Sequence, residues 1–209
     1  MDIPIIALTI SIIALLISAS TLWLSHLKPF ELNVSCDSPR LSMYTIPPEV
    51  SGSEEGKTWW IPSFDIGMTF NNLGKRQGQV DDIRIVVTLN NHRAEKKFYF
   101  YPKWVVDYSK FNQYHTERFK WVKSAVLRDW YPFRLGADKE ISLHLILESD
   151  RFDHKESGRL QLSLQISAEG SGNWDTINEY EMPLVEDIYD NENTFLPYNK
   201  SLEKLRKIT

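Results

Sequence analysis

The chain has 209 residues, a formal net charge of −4 from 24 basic and 28 acidic side chains, and 12% aromatic residues. That balance argues against nucleic acid as a partner, which calls for a strongly basic face. A single cysteine, Cys36, excludes an intramolecular disulfide. About 180 residues outside the apolar start suit one domain with a sizeable core.

From Ile3 to Ser25 there is no charged residue. A helix rises about 1.5 Å per residue, so roughly 20 residues cross the hydrocarbon core, and this stretch predicts a transmembrane anchor over residues 1–28. Ser18-Ala19-Ser20 would pass as a signal cleavage site, but no Lys or Arg precedes the stretch and the apolar run continues through Leu24. Trp23 falls where an interfacial aromatic is expected. Within the span, Ala7, Ser11, Ala14, Ser18, Thr21 and Ser25 are spaced four, three, four, three, four. Every one is small, and the average of 3.5 matches a left-handed helix pair. The stripe is read as a packing seam for a second copy or a partner's helix.

Lys28-Pro29 ends the helix. Period-2 alternation then predicts strands near Phe30–Val34, Leu41–Ile46, Phe64–Phe70, Ile83–Leu89, Lys97–Tyr101, Ile141–Leu147, Leu160–Ile166 and Trp174–Met182. Asn72–Gly78 reads as a turn and Asn90–Arg93 as a hairpin loop. Short strands with turns between them and no βαβ alternation predict an all-β fold. The expectation is an antiparallel β-sandwich, immunoglobulin-like but without the Cys-Trp-Cys signature, over residues 29–185. A barrel is the second choice. Residues 186–209 form an acidic, then basic tail, in which Ser201–Lys207 has the makings of a helical turn or two.

Residues 102–128 break the rhythm and read as an insert rich in aromatic and basic side chains, including Trp104, Lys110, Arg118, Lys120, Trp121 and Lys123. Such a surface suits an anionic leaflet or a partner protein. The competing reading packs the aromatics on the domain and turns the charges to water. The acidic stretch from Glu179 to Glu192 is a solvated edge or a complement to that insert.

No dinucleotide fingerprint, P-loop, nucleophile elbow or zinc-spaced Cys/His set is present. Ser201-Leu202-Glu203-Lys204 matches S-x-x-K without its companion motifs. His144 lies opposite the apolar stripe of its strand, so it is expected to be exposed, with no Asp or Ser beside it. Asp150–Glu156 is acidic enough to suggest a metal, but interleaved Arg151 and Lys155 favour a solvated loop; Asp81-Asp82 is a weaker case. No cofactor, metal site or catalytic residue is assigned.

Two stretches carry a resemblance: Leu22-Trp23-Leu24-Ser25-His26-Leu27-Lys28-Pro29-Phe30, and Phe70 to Ile83 with its Asn71-Asn72-Leu73-Gly74-Lys75-Arg76-Gln77-Gly78 turn. Over its first 90 or so residues the chain resembles small uncharacterised bacterial proteins that have one N-terminal span, a Lys/Arg-Pro-Phe-like junction and a β-sandwich. The resemblance implies that architecture and no activity. The function expected is therefore a non-catalytic binding or assembly module of a membrane complex. Its β-domain is placed in the cytoplasm because Lys28 and Arg40 follow the span while no Lys or Arg precedes it. A membrane-tethered enzyme, or a sensor or effector subunit with a site made of scattered residues, is the alternative.

Overall fold

The computed structural model describes residues 3–46, 59–91, 94–113, 124–149, 158–170, 172–184, 194–195 and 198–199. The Ser201–Lys207 and Asp150–Glu156 readings lie outside these residues. Helix α1 spans Ile3–Leu22 and passes into a π-helical turn, Trp23–Leu27, closed by the Lys28 N–H bonded to the Trp23 carbonyl at 2.9 Å. Together they give 24 residues, Pro4–Leu27, long and apolar enough to cross a membrane, with none of them buried in the rest of the chain. A core helix would hide one face. Here large side chains all around α1 stay exposed, from Ile12 at 50% to Leu15 at 69%.

The remaining described residues are mostly antiparallel β-structure. The strands are β1 (Leu32–Cys36), β2 (Arg40–Ile46), β3 (Trp59–Asn72), β4 (Gly78–Asn91), β5 (Ala94–Val106), β6 (Val126–Asp129), β7 (Phe133–Leu135), β8 (Glu140–Glu148), β9 (Gly158–Ala168), β10 (Asp175–Leu184), β11 (Thr194–Phe195) and β12 (Tyr198–Asn199). A short helix, α2 (Tyr108–Gln113), follows β5. Among the described residues the strands form one 12-stranded sheet in the order β11-β2-β3-β8-β5-β4-β9-β10-β12, with β1 beside β3, β6 beside β5 and β7 beside β4.

Strand β5 carries the chain from one half of this sheet to the other. Its first half pairs with β4 up to Phe100↔Ile85; from Tyr101↔Glu148 onward it pairs with β8. The register slips between Pro102 and Trp104, at the residue that has no N–H to give the ladder. The supposed insert is thus smaller than its sequence suggests: Pro102–Val106 belong to β5 and Val126–Arg128 to β6.

Alternation places the core. Phe64, Ile66, Met68 and Phe70 of β3 face Ile83, Ile85, Val87 and Leu89 of β4 and Leu160, Leu162, Leu164 and Ile166 of β9 in one buried cluster. Phe64 meets Phe100 edge-on at 4.8 Å, and Phe70 meets Phe133 at 5.2 Å. Each such side chain taken from water is worth about 1.5–3 kcal/mol. The two sheet ends also approach: Asn178 of β10 donates to the Cys36 Sγ of β1 at 3.0 Å, and the Tyr180 hydroxyl lies 3.4 Å from the same sulfur. The sheet is nearly closed on itself.

Candidate functional site

Beyond the core, two polar centres stand out, both on β3. The first lies on its outer face. From Pro62 to Ile66 β3 is buried on both faces, because Val106, Ala125 and Ile146 build a second small apolar cluster there, with Trp104 and Val126 against it. The β3–β8 register sets Asp65 opposite Ile146, Gly67 opposite His144 and Thr69 opposite Ser142; the β2–β3 register sets Arg40 opposite Asp65.

Asp65 is 1% exposed. Its Oδ1 accepts from Arg40 Nε at 2.8 Å and Nη2 at 2.6 Å, and His144 Nε2 lies 3.1 Å away. A carboxylate oxygen only accepts, so His144 Nε2 is the donor of this contact. Asp65 Oδ2 is buried with no hydrogen-bond partner among the described residues. Tyr108, at the start of α2, lays its ring 4.6 Å from the His144 ring, and the Arg40 guanidinium stands 5.9 Å from the Tyr108 ring.

His144 is therefore not the exposed, partnerless residue expected: its side chain is 10% exposed and an aspartate holds it. The alternation placed it on the correct face, but α2 and Ala125 cover that face. Beside it lies a cleft of about 440 Å³, lined by Asp37, Gly67, Thr69, Tyr108, Ser142 and His144 among others. A Cβ on Gly67 would stand 2.5 Å from Asp37 Oδ2, so the exposed Asp37 side chain would have to swing aside. Thr69 and Ser142 hydroxyls bond each other at 2.8 Å. The Asp37 side chain, an oriented imidazole and hydroxyls along this cleft suit a polar ligand.

On the other side of β1, burial and then the Cys36 contact push the Tyr180 phenol well above its usual range, and its hydroxyl donates to the Asp37 carbonyl at 3.3 Å. Asp81, weighed above for metal, instead accepts from the Gly170 N–H at 2.6 Å and from Gln79 Nε2 at 2.8 Å. Burial raises the Asp82 carboxyl, while its Oδ1 accepts from the Ile83 N–H. Among the described residues, no group of three or more His, Cys, Asp or Glu is placed to hold a metal ion.

The second polar centre is Asn72, fully buried at the end of β3. Its Oδ1 accepts from the Gly74 N–H at 2.8 Å and the Glu31 N–H at 3.4 Å; its Nδ2 donates to the carbonyls of Arg76 (2.8 Å), Gly136 (3.0 Å) and Leu135 (3.4 Å). The turn that it shapes receives the chain leaving α1. Lys75 N–H bonds the Lys28 carbonyl at 3.0 Å, and Lys28 Nζ bonds the Leu73 carbonyl at 3.2 Å. A Cβ on Gly74 would lie 1.9 Å from the Pro29 oxygen, and one on Gly78 2.1 Å from the Phe30 ring. The two stretches that carried the sequence resemblance are thus the two sides of one packed junction.

The seam residues of α1 are exposed, and two of their hydroxyls bond back one turn: Ser11 to the Ala7 carbonyl (2.9 Å) and Thr21 to that of Ile17 (2.8 Å). Ser25 falls in the π-helical turn, which winds differently from the α-helix that the 3.5 spacing assumes. Of the insert, Trp104 packs on the outer apolar cluster and carries the Lys103 ammonium 4.7 Å over its ring. Lys110 is exposed, 3.8 Å from Asp107. Asp107 caps α2 through Ser109, which holds its carboxyl below the usual range. Arg118, Lys120, Trp121 and Lys123 lie outside the described residues, as does the acidic stretch beyond Leu184. Asp65, Arg40 and Asn72 were not foreseen as site residues, whereas Tyr108 falls in the 102–128 insert read as an interaction surface. The one available signal was an aromatic-rich insert able to cover a face that otherwise looks solvated.

No family model matches the chain, and no curated protein matches it. Among solved structures it is similar to a crystal structure of the protein called ApaA from Bordetella pertussis, at 13% identity over 82% of this chain and 95% of that one, with a TM-score of 0.28. A likeness at that score bears on neither fold nor function.

Proposed function

We propose that the protein is a membrane-anchored, non-catalytic β-domain that serves as a binding or assembly module of a membrane complex. The observation that carries this reading is the junction: an exposed apolar helix of membrane length enters the β-domain through Lys28–Phe30, which are hydrogen-bonded and packed with no free linker. A domain that only needs tethering is served by a flexible linker. A docked one holds its surfaces at a fixed height and angle over the bilayer, as assembly requires. The folded sheet is read as a β-sandwich of immunoglobulin-like kind, and the domain as cytoplasmic, since Lys28 and Arg40 follow the span. The small-residue seam and the Trp104–Lys110 region are its partner surfaces.

The Asp65–His144 pair favours a second reading, a sensor or enzyme subunit that uses the cleft beside it. Recovery of the full-length chain from detergent extracts, with mass spectrometry of what accompanies it, separates the two. A stoichiometric partner or a second copy, lost when Ala14 and Ser18 become Leu, supports the assembly module. A monomer that responds to small polar ligands through His144 overturns it. A C-terminal reporter active only in the periplasm would reverse the orientation.

A further inference from the structure

We propose that the Leu73–Arg76 turn, with Lys139, is a second membrane contact that binds the phosphates of anionic lipid headgroups around the base of α1. The proposal rests on the anchored reading above. In sequence, only Lys28 follows the span closely. In the fold, Asn72 draws two distant segments to the same place: its side chain bonds the Arg76 carbonyl at 2.8 Å and its N–H bonds the Lys139 carbonyl at 3.0 Å. Lys75 is joined to the Lys28 carbonyl by its own N–H at 3.0 Å. Four cations are thus fixed by their backbones at the point where the apolar helix ends.

Their pairing differs. Lys28 meets Glu31 at 2.6 Å, and Lys75 meets Asp138 at 2.6 Å. Arg76 and Lys139 are exposed and make no ion pair among the described residues, although the exposed carboxylate of Glu140 follows Lys139 in the chain. Leu73, 42% exposed, is the apolar side chain that opens this turn, followed by Gly74, Lys75 and Arg76. An exposed apolar side chain followed by cations suits an interfacial segment: the Leu enters the headgroup boundary and the long basic side chains reach the phosphates. The span also exceeds the hydrocarbon core: 24 residues rise about 36 Å against roughly 30 Å. Its end therefore lies in the headgroup layer, level with this turn.

The test uses the full-length chain in detergent, titrated with phosphatidylglycerol or with phosphatidylcholine, with bound lipids counted by native mass spectrometry. Each basic residue near an anionic surface is worth about fivefold in affinity, so Arg76→Gln with Lys139→Gln should weaken phosphatidylglycerol retention roughly 25-fold and leave phosphatidylcholine unchanged. Asp138→Asn, which frees Lys75, should strengthen it a few-fold. Equal retention of both lipids by the unaltered chain overturns the proposal, as does an unchanged preference in the double variant. Displacement of the lipid by millimolar inorganic phosphate would assign a free-phosphate site instead and also overturn it. Thermal melts of both variants verify that the domain is folded. Reconstitution into nanodiscs keeps the two ideas apart. A chain that fails to insert defeats the anchor itself, whereas an inserted chain without lipid preference defeats this contact alone.

Discussion

Asp65 and Asn72 are seven positions apart on one strand, and both are buried, yet they are satisfied in opposite ways. Asn72 is neutral and spends both of its polar atoms on the backbone of three segments, Glu31, Gly74–Arg76 and Leu135–Gly136. Asp65 is acidic, its hydrogen bonds among the described residues run to side chains, and its Oδ2 has no partner among them. Backbone partners cannot turn away, so Asn72 fixes geometry. Side-chain partners can rotate away, so the Asp65 cluster can rearrange where the Asn72 one cannot. An orphaned buried acceptor costs about 1–3 kcal/mol, and that cost is tolerated at one site and not at the other.

Exchanging the two chemistries gives the largest expected effects. Asn72→Asp aims a carboxylate oxygen at the carbonyls of Arg76 and Gly136. An uncompensated buried charge costs about 3–5 kcal/mol, visible as a lower midpoint in urea. Burial raises the pKa of the introduced carboxylate in the folded state. Stability should therefore return as pH falls through that raised value, since the protonated acid can donate to one carbonyl. Loss that is independent of pH would mean that the site opens to water.

Asp65→Ala should cost about 3 kcal/mol, because it removes the buried carboxylate that Arg40 and His144 share. Asp65→Asn keeps an acceptor for Arg40, which is 18% exposed and in reach of water, and should cost only about 1–2 kcal/mol. Equal losses in the two would show that charge, not the acceptor, is what the cluster needs.

Tyr180→Phe removes the hydroxyl contacts to Cys36 and the Asp37 carbonyl and should cost about 1 kcal/mol. Its pH signature is more telling. The folded phenol is held protonated above its ordinary value of 10.0. The unfolded chain releases that proton first, so stability is complete below pH 10 and falls as pH rises beyond it. The Phe variant should lose that part of the alkaline decline in thermal melts. The smallest effect belongs to Asp138→Asn: its ion pair with Lys75 is exposed, with Asp138 at 60%, and its loss should stay within about 0.5 kcal/mol.

The sequence made the core legible because half-buried strands announce themselves: Ile83, Ile85, Val87 and Leu89 alternate as the structure packs them. Strand ends were harder. Pro62-Ser63 and Pro102–Val106 are buried on both faces or broken by proline, so the period-2 signal fails just where the strands continue. Asp65 was invisible for the same reason: between Phe64 and Ile66 it has the pattern of a solvent-facing residue. The junction was half legible. Both its stretches attracted notice, but a contact across 45 residues leaves no periodic trace.

On the anchored reading proposed above, that junction makes the molecule a lever. The π-helical turn leads directly into Lys28, and Lys28 is bonded to the β3–β4 turn, so no joint lies between helix and sheet. A rotation of α1 in a bilayer would pass undamped into the domain. For a strand of 14 residues the lever arm is about 45 Å. A helix that tilts by about 20°, an ordinary excursion in lipid, would sweep the far end of such an arm through roughly 15 Å. Bilayer thickness would then set where the distal surface of this protein can reach.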